Sequence, residues 1–182
     1  MVRFGSFGSA LAMVLVAVAC AGCGSSGSSK VSAGTYVATV CSAISPLERD
    51  VVSRSSALNS ATAPNATQAK KALRGFLVAV EGDADRALSK VQSAGTPDIS
   101  NGKTVAGTIE KTFTELRDTL RTAVTKSNSL PTDSPSSFRT AAQALGANVR
   151  NSLNGIDSSG LTNPDLQKAA VGQSACKSLS SS

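Results

Sequence analysis

Three carboxylates form the one acidic cluster in the chain. Glu81, Asp83 and Asp85 lie within the sequence EGDAD. Glu81 and Asp85 are four residues apart and share one face of a helix, where two carboxylates can bind a hard cation or act as an acid–base pair. The basic residues Arg86 and Lys90 follow shortly after. Their presence favours a solvated helix face with ion pairs over a catalytic or metal-binding site.

The amino-acid composition excludes most other kinds of catalytic site. The chain contains no histidine, which excludes Ser-His-Asp triads, Cys-His pairs and most transition-metal sites. It also lacks the G-x-S-x-G nucleophile elbow and the P-loop motif G-x-x-x-x-G-K-[ST]. We therefore expect no catalytic residue, no metal, no cofactor and no enzymatic activity. An enzyme that uses Glu81, Asp83 and Asp85 is the least favoured alternative.

Two cysteines, Cys20 and Cys23, are spaced as a C-x-x-C motif in the sequence CAGC. A redox pair of this kind belongs at a strand-to-helix junction, and a zinc site needs two further ligands. The sequence around CAGC predicts no strand, and the chain has no histidine to complete a zinc site. The role of Cys20 and Cys23 therefore depends on the segment that precedes them.

That preceding segment has the features of a secretory signal peptide. Arg3 is the only charged residue before Lys30, and Ala10–Ala19 is an unbroken apolar run. The run is too short to cross a bilayer, which takes about 20 residues, and no basic cluster follows it, so a transmembrane anchor is disfavoured. A basic start, a short apolar run and small residues match a signal peptide. Small residues that lead directly into a cysteine form the lipobox pattern of bacterial lipoproteins.

We therefore predict a lipoprotein signal peptide at residues 1–22 and lipid attachment, with acyl chains such as palmitate, at Cys23. Cys20 is the alternative attachment site, because the residues before it match the apolar pattern more cleanly. Residues 23–32 are rich in Gly and Ser and are expected to form a flexible tether. This anchor would place the exported protein on the outer face of the bacterial cell membrane.

Size and charge restrict the possible partners. Cleavage before Cys23 leaves 160 of the 182 residues, enough for one domain with its own core. The formal net charge is +6, the basic residues are scattered, and the chain has no Trp and one Tyr. Nucleic-acid binders combine clustered basic residues with aromatic residues that stack on bases, so we expect no nucleic-acid partner. Weak attraction to anionic envelope polymers or lipid headgroups is the alternative role of the charge.

Apolar residues recur at helical spacing along the rest of the chain. Ser134 before Pro135 and Asn163 before Pro164 are typical helix starts. The pattern predicts long helices at 34–61, 67–94, 103–127 and 135–156, and a short helix from residue 164. Long amphipathic helices with short loops form bundles. We expect an all-α, antiparallel up-down bundle over residues 33–182, with a kink or short break near Pro46.

Three phenylalanines, Phe76, Phe113 and Phe138, lie on three different predicted helices. They are expected in the core, and an aromatic cage for a ligand is the alternative. The sequence Asn65–Thr67 matches an N-glycosylation acceptor. In a bacterial lipoprotein it is expected to be only a helix-capping loop.

Past the leader only Cys41 and Cys176 remain. An even pair in an exported chain favours a disulfide, because the compartment is oxidising. Closing a loop of about 135 residues would remove unfolded-state entropy on the order of 5 kcal/mol. Two unpaired buried thiols are the alternative.

Four segments also carry a resemblance to known proteins: YVATVCSAISPLERDVVSRSSALN, AGTPDISNGKTVAG, LPTDSPSSFRTAAQALG and NPDLQKAAVGQSACKSL. They resemble a family of uncharacterised secreted proteins and lipoproteins of actinobacteria, over nearly all of the chain after the leader. The most specific elements are Cys41, the turn at 95–102, the helix start at 130–138 and Cys176. The resemblance implies a pairing of Cys41 with Cys176 and an actinobacterial source. It implies no known activity.

Together these features predict a membrane-anchored envelope lipoprotein that acts as a non-enzymatic binding module. Its partners would be the membrane, through the lipid, and an unknown envelope protein or component. The alternative function is carriage of a small hydrophobic or lipid ligand within the bundle. A cavity lined by Phe76, Phe113 and Phe138 would favour that alternative.

Overall fold

The computed structural model describes residues 29–60, 65–177 and 179 and confirms the all-α class. The described residues form six α-helices, one 3-10 helix and two strands of two residues each. The four long helices begin and end within two residues of their predicted bounds. In chain order the elements are β1 (Lys30–Val31), α1 (Ala33–Ser60), α2 (Ala66–Gln92), β2 (Thr96–Pro97), α3 (Gly102–Ser127), α4 (Pro135–Asn154), the 3-10 helix (Ser159–Thr162), α5 (Pro164–Ala170) and α6 (Ser174–Lys177).

The helix starts follow from capping side chains, as the sequence predicts. The Asn65 side chain accepts a hydrogen bond from the backbone N–H of Gln68, so the Asn-Ala-Thr sequence caps α2. Ser134 accepts from the N–H of Ser137 at the start of α4, and Asn163 caps α5. Each cap satisfies backbone donors that have no partner inside the helix.

Helix α1 is continuous through Pro46, so the helix does not have the short break that was one of the two expectations at this position. Because proline has no N–H, the carbonyl of Ser42 one turn earlier lacks its usual donor within the helix. The ammonium of Lys90 on α2 donates a long hydrogen bond of 3.5 Å to this carbonyl oxygen. The neighbouring helix therefore compensates in part for the proline.

The C-terminal region differs from the single short helix that the sequence predicts. Helix α5 ends at Ala170, and α6 starts again at Ser174 after a turn. The turn contains Gly172, whose helix propensity is low. We use the name C-terminal segment for residues 158–177, which include the 3-10 helix, α5 and α6.

A two-stranded parallel sheet ties the first described residues to the loop between α2 and α3. Lys30 pairs with Thr96 and Val31 with Pro97. Gly95, at a φ of +81°, precedes β2, and a Cβ there would lie 2.6 Å from the backbone oxygen of Ser29. The close approach of the two chains thus requires glycine at this position. Strand β1 lies within the last residues of the predicted tether.

The apolar core is divided along the helices into three clusters. Helix α2 packs against α1 and α3, and α4 packs mainly against α3. The largest cluster lies where α1, α2 and α3 meet the C-terminal segment, and it includes Tyr36, Val91, Ile109 and Phe113. The second contains Leu77, Ala123, Leu130 and Leu145, and the third contains Val80, Ala84 and Leu120.

Within the described ranges, each helix is either too short or too polar to cross a bilayer.

Two glycines of α3 provide a matched test of how closely the preceding loop packs on this helix. A Cβ at Gly102 would overlap the carbonyl oxygen of Pro97, whereas a Cβ at Gly107 would meet nothing within 4 Å. We expect Gly102→Ala to lower the free energy of unfolding by about 1–3 kcal/mol, because the loop backbone must move. Gly107→Ala should raise it by up to about 1 kcal/mol, because alanine has the higher helix propensity. Urea denaturation of both variants measures the difference; destabilisation of equal size in both would contradict the close approach.

Candidate functional site

A disulfide joins the first long helix to the last short one. Cys41 on α1 and Cys176 on α6 are bonded, with their Cα atoms 5.0 Å apart and 135 positions apart in sequence. The predicted pairing is confirmed, and the alternative of two unpaired thiols is wrong. The bond fixes the end of the C-terminal segment against α1.

The rest of the C-terminal segment packs across α1 and α3. Helices α5 and α6 contact α1, and the 3-10 helix contacts α3. Gly160 allows the closest approach, because a Cβ there would lie 2.8 Å from the Ile109 side chain. Leu166 is buried in the largest apolar cluster, and directly before the segment the Asp157 carbonyl accepts a 2.6 Å hydrogen bond from the Thr112 hydroxyl. The segment is therefore held at several points as well as at the disulfide.

Between these elements lies a cavity of about 200 Å³, which we call the C-terminal cavity. One wall is formed by α1 and α3, with Tyr36, Val40, Ile44 and Ile109 among the lining residues. The C-terminal segment forms the other wall with Leu161, Leu166, Gln167 and Ala170. Among these described lining residues none is charged, and Gln167 is an exposed amide.

Tyr36 is the unusual residue of the C-terminal cavity. It is fully buried, and its hydroxyl has no hydrogen-bond partner among the described residues. Burial, and to a smaller extent the nearby carboxylate of Glu110, raises the pKa of the Tyr36 phenol to about 12. The hydroxyl is therefore protonated at neutral pH and can donate a hydrogen bond.

The acidic cluster of α2 is divided between α3 and the interior. Glu81 forms a 3.0 Å ion pair with Arg121 of α3, and Asp85 lies 3.9 Å from Arg117 of the same helix. Ion pairs of this partly exposed kind contribute about 0–1 kcal/mol each. These ion pairs join α2 to α3, whereas the sequence had suggested ion pairs within α2 alone.

Of the three carboxylates, Asp83 differs most from the expectation of a solvent-exposed helix face. Its side chain is 4% exposed and pairs with Arg86, while its Oδ2 atom is buried without a hydrogen-bond partner in the described part of the chain. The described residues also contain no group of three His, Cys, Asp or Glu residues that could hold a metal ion. The structure thus does not bring the three carboxylates together as one site.

The three phenylalanines are likewise distributed over different parts of the core. Phe113 is buried in the largest cluster, as predicted. Phe76 and Phe138 are half-buried and pack against the cluster of Leu77 and Leu145. The structure therefore does not assemble the three rings into one cage, and the C-terminal cavity is lined by other residues.

Sequence reasoning missed Tyr36 as a candidate site residue. A signal was present, because Tyr36 is the only tyrosine in a chain with no tryptophan. It also extends the helical apolar stripe of Val40 and Ile44 by one turn. The predicted lipidation sites Cys23 and Cys20 lie outside the described residues and stay predictions.

No protein-family model, curated protein or solved structure matches this chain. The resemblance to actinobacterial secreted proteins therefore stays a prediction.

The disulfide generates a direct prediction about stability. We expect replacement of both Cys41 and Cys176 by alanine to lower the free energy of unfolding by about 2–5 kcal/mol, because the bond restricts the unfolded chain. Guanidinium denaturation with and without a reducing agent measures the effect. Reductant should destabilise the wild-type protein and leave the double variant unchanged. Identical wild-type midpoints in both conditions would be the contrary result.

The buried phenol generates a prediction about pH. Below pH 10 Tyr36 is protonated in both the folded and the unfolded chain, so its contribution to stability is constant. Between pH 10 and 12 the unfolded chain ionises first, because its tyrosine pKa is about 10 and that of the folded protein is about 12. Folding stability should therefore fall across this window, by about 2–3 kcal/mol from this residue.

The Tyr36→Phe variant is the control, since lysine titration is common to both proteins and cancels in their difference. Tyrosinate absorbance of the native protein reports Tyr36 alone, because it is the only tyrosine. Ionisation of the native protein near pH 10 would contradict the burial argument.

Proposed function

We propose that this chain is a lipid-anchored envelope protein whose helical domain acts by binding rather than by catalysis. The observation that carries the proposal is the Cys41–Cys176 disulfide. Structural disulfides form and persist in oxidising compartments outside the cytosol. This agrees with the signal peptide and lipobox that the sequence predicts at residues 1–23.

In the proposed arrangement the four long helices form an antiparallel up-down bundle behind the signal peptide. The described chain starts at Ser29, beside the loop between α2 and α3. Five residues lie between Cys23 and Ser29, and the six Cα–Cα steps from one to the other span at most about 20 Å. A lipid on Cys23 would therefore hold this end of the domain near the outer face of the cell membrane.

The proposal of binding rests on how the ionisable side chains are used. Glu81 and Asp85 are engaged by arginines of α3, and Asp83 is engaged by Arg86. Such pairing gives carboxylates a structural role rather than leaving them as convergent acid and base groups. We propose an envelope protein or envelope component as the partner.

Carriage of a small hydrophobic molecule is the second candidate function. It is favoured by one observation, the C-terminal cavity of about 200 Å³ with an apolar lining. Ligand sites in helical proteins are commonly concave, apolar and supplied with a few polar groups.

The anchor is tested by labelling the protein with a radioactive or clickable palmitate in a bacterial host. We expect wild type and Cys20→Ala to incorporate the label and Cys23→Ala to lose it, because only the modified thiol accepts the lipid. Globomycin, which blocks lipoprotein signal cleavage, should raise the mass of the wild-type protein by retaining the leader. Loss of label in Cys20→Ala alone would assign the lipid to Cys20. Unlabelled wild-type protein would overturn the proposed anchor.

A further inference from the structure

The positive net charge of the domain is concentrated on part of the fold, although its basic residues are scattered along the sequence. Residues 51–80 contain four basic residues and no acidic residue, and α4 contains two arginines and no acidic residue. The rest of the chain after the predicted leader contains 11 basic and 12 acidic residues. The net positive charge therefore lies on α4, on the last turns of α1 and on the first half of α2.

The first turns of α2 and α4 lie side by side and border a groove of about 420 Å³, which we call the α2–α4 groove. Helices α2 and α4 contact each other much less than either contacts α3. Apolar side chains line the groove on both sides, with Ala66 and Ala69 on α2 and Phe138 and Ala142 on α4. The groove therefore offers apolar surface to a partner.

Basic side chains stand beside this apolar surface. The exposed side chain of Arg139 lines the α2–α4 groove, and Lys70 and Lys71 directly follow the lining residue Ala69. Within the described ranges, none of these three cations lies within ion-pair distance of a carboxylate. Their charges can therefore attract an anionic partner.

Neutral groups hold Lys70 in place without cancelling its charge. Its ammonium donates hydrogen bonds of 2.7 Å and 2.9 Å to the backbone carbonyl oxygens of Asn128 and Leu130, which follow α3. The nearby acidic residue Asp133 accepts a hydrogen bond from the Ser137 hydroxyl instead. A fixed and uncompensated cation thus adds to the positive potential beside the groove.

This charge decides which occupant fits the α2–α4 groove. A second copy of the chain that docked on it by two-fold symmetry would bring like charges together, which is unfavourable. The parts of this chain outside the described residues contain no Asp or Glu, so they offer no complementary charge. A protein segment with both apolar and acidic side chains fits, because apolar side chains fill the groove while carboxylates pair with its cations.

We propose that the α2–α4 groove docks an acidic, amphipathic segment of another envelope protein, and that Lys71 and Arg139 pair with its carboxylates. This inference rests on the proposed binding function and names the chemistry of the partner. A phosphate-rich polymer would engage the cations but would leave the apolar lining uncovered.

Synthetic probes test the chemistry of the partner on the purified mature protein. The main probe is a peptide about five helical turns long, with Leu at helical spacing and Glu at the other positions. The comparison probes are the same peptide with Ser in place of Leu, and inorganic polyphosphate. We expect both comparison probes to bind at least about tenfold more weakly, because neither fills the apolar lining. Titration calorimetry at physiological salt measures the affinities.

Charge-matched variants test where the peptide binds. The double variant Lys71→Gln/Arg139→Gln removes two charges beside the α2–α4 groove, whereas Lys103→Gln/Lys168→Gln removes two charges from exposed side chains of α3 and α5. We expect the first to weaken binding of the Leu/Glu peptide about tenfold and the second less than about twofold. The change in net charge is the same, so only its position distinguishes them.

A second pair of variants tests the apolar lining. Ala142 lines the groove, whereas Ala147 is exposed on the same helix and is not among the lining residues. Each substitution by Glu adds one negative charge to α4. We expect Ala142→Glu to weaken peptide binding about tenfold and Ala147→Glu less than about threefold, because solvent screens the more distant charge. Thermal unfolding verifies that both variants fold; if Ala142→Glu does not, the two double variants still decide the proposal.

Several outcomes would overturn this inference. They are absence of peptide binding at millimolar concentration, equal weakening by the two double variants, and undiminished binding to a folded Ala142→Glu variant. If polyphosphate binds while the Leu/Glu peptide does not, the proposed binding function stands and the acidic protein segment is rejected as the partner. If no probe binds, the inference falls, and palmitate labelling still tests the anchor separately.

Discussion

The covalent bond between α1 and α6 is the constraint on which the C-terminal part of the structure depends. The 3-10 helix, α5 and α6 are each too short to be stable as isolated helices. They are ordered because Leu166 is buried against α1 and α3 and because Cys176 is bonded to Cys41. Without these contacts α1 would expose Val37, Val40 and Ile44, and the C-terminal cavity would lose one of its walls.

Buried alanines contribute to the association of the remaining helices, beside larger apolar residues such as Leu77 and Leu120. Ala84, Ala87, Ala106 and Ala123 are buried at the contacts of α2 and α3. Small residues allow close approach of helices but bury little apolar area each. Ion pairs such as Glu81–Arg121 add little at a partly exposed position. The disulfide, as a cross-link between distant parts of the chain, therefore makes a large contribution to folding stability compared with any one of these contacts.

Local signals predicted the long helices well, whereas several features that depend on contacts between distant residues were not predicted. Periodicity and capping located the long helices, with Asn65, Ser134 and Asn163 at their predicted positions. Strands of two residues carry no periodicity, so the pairing of Lys30 with Thr96 could not be predicted. The burial of Asp83 and the enclosure of Tyr36 depend on which helix faces which. The sequence pattern alone does not specify that arrangement.

The position of the disulfide also has a mechanical consequence. When the two ends of the chain are pulled apart, the covalent path passes from Cys41 directly to Cys176. The residues between them carry no tension along the backbone, so α2, α3 and α4 are shielded from extension. The load falls instead on the residues before Cys41, beginning with the hydrogen bonds from Thr96 to Ser29 and from Asp98 to Val31. The bulk of the domain can thus keep its fold under a force that detaches its first strand.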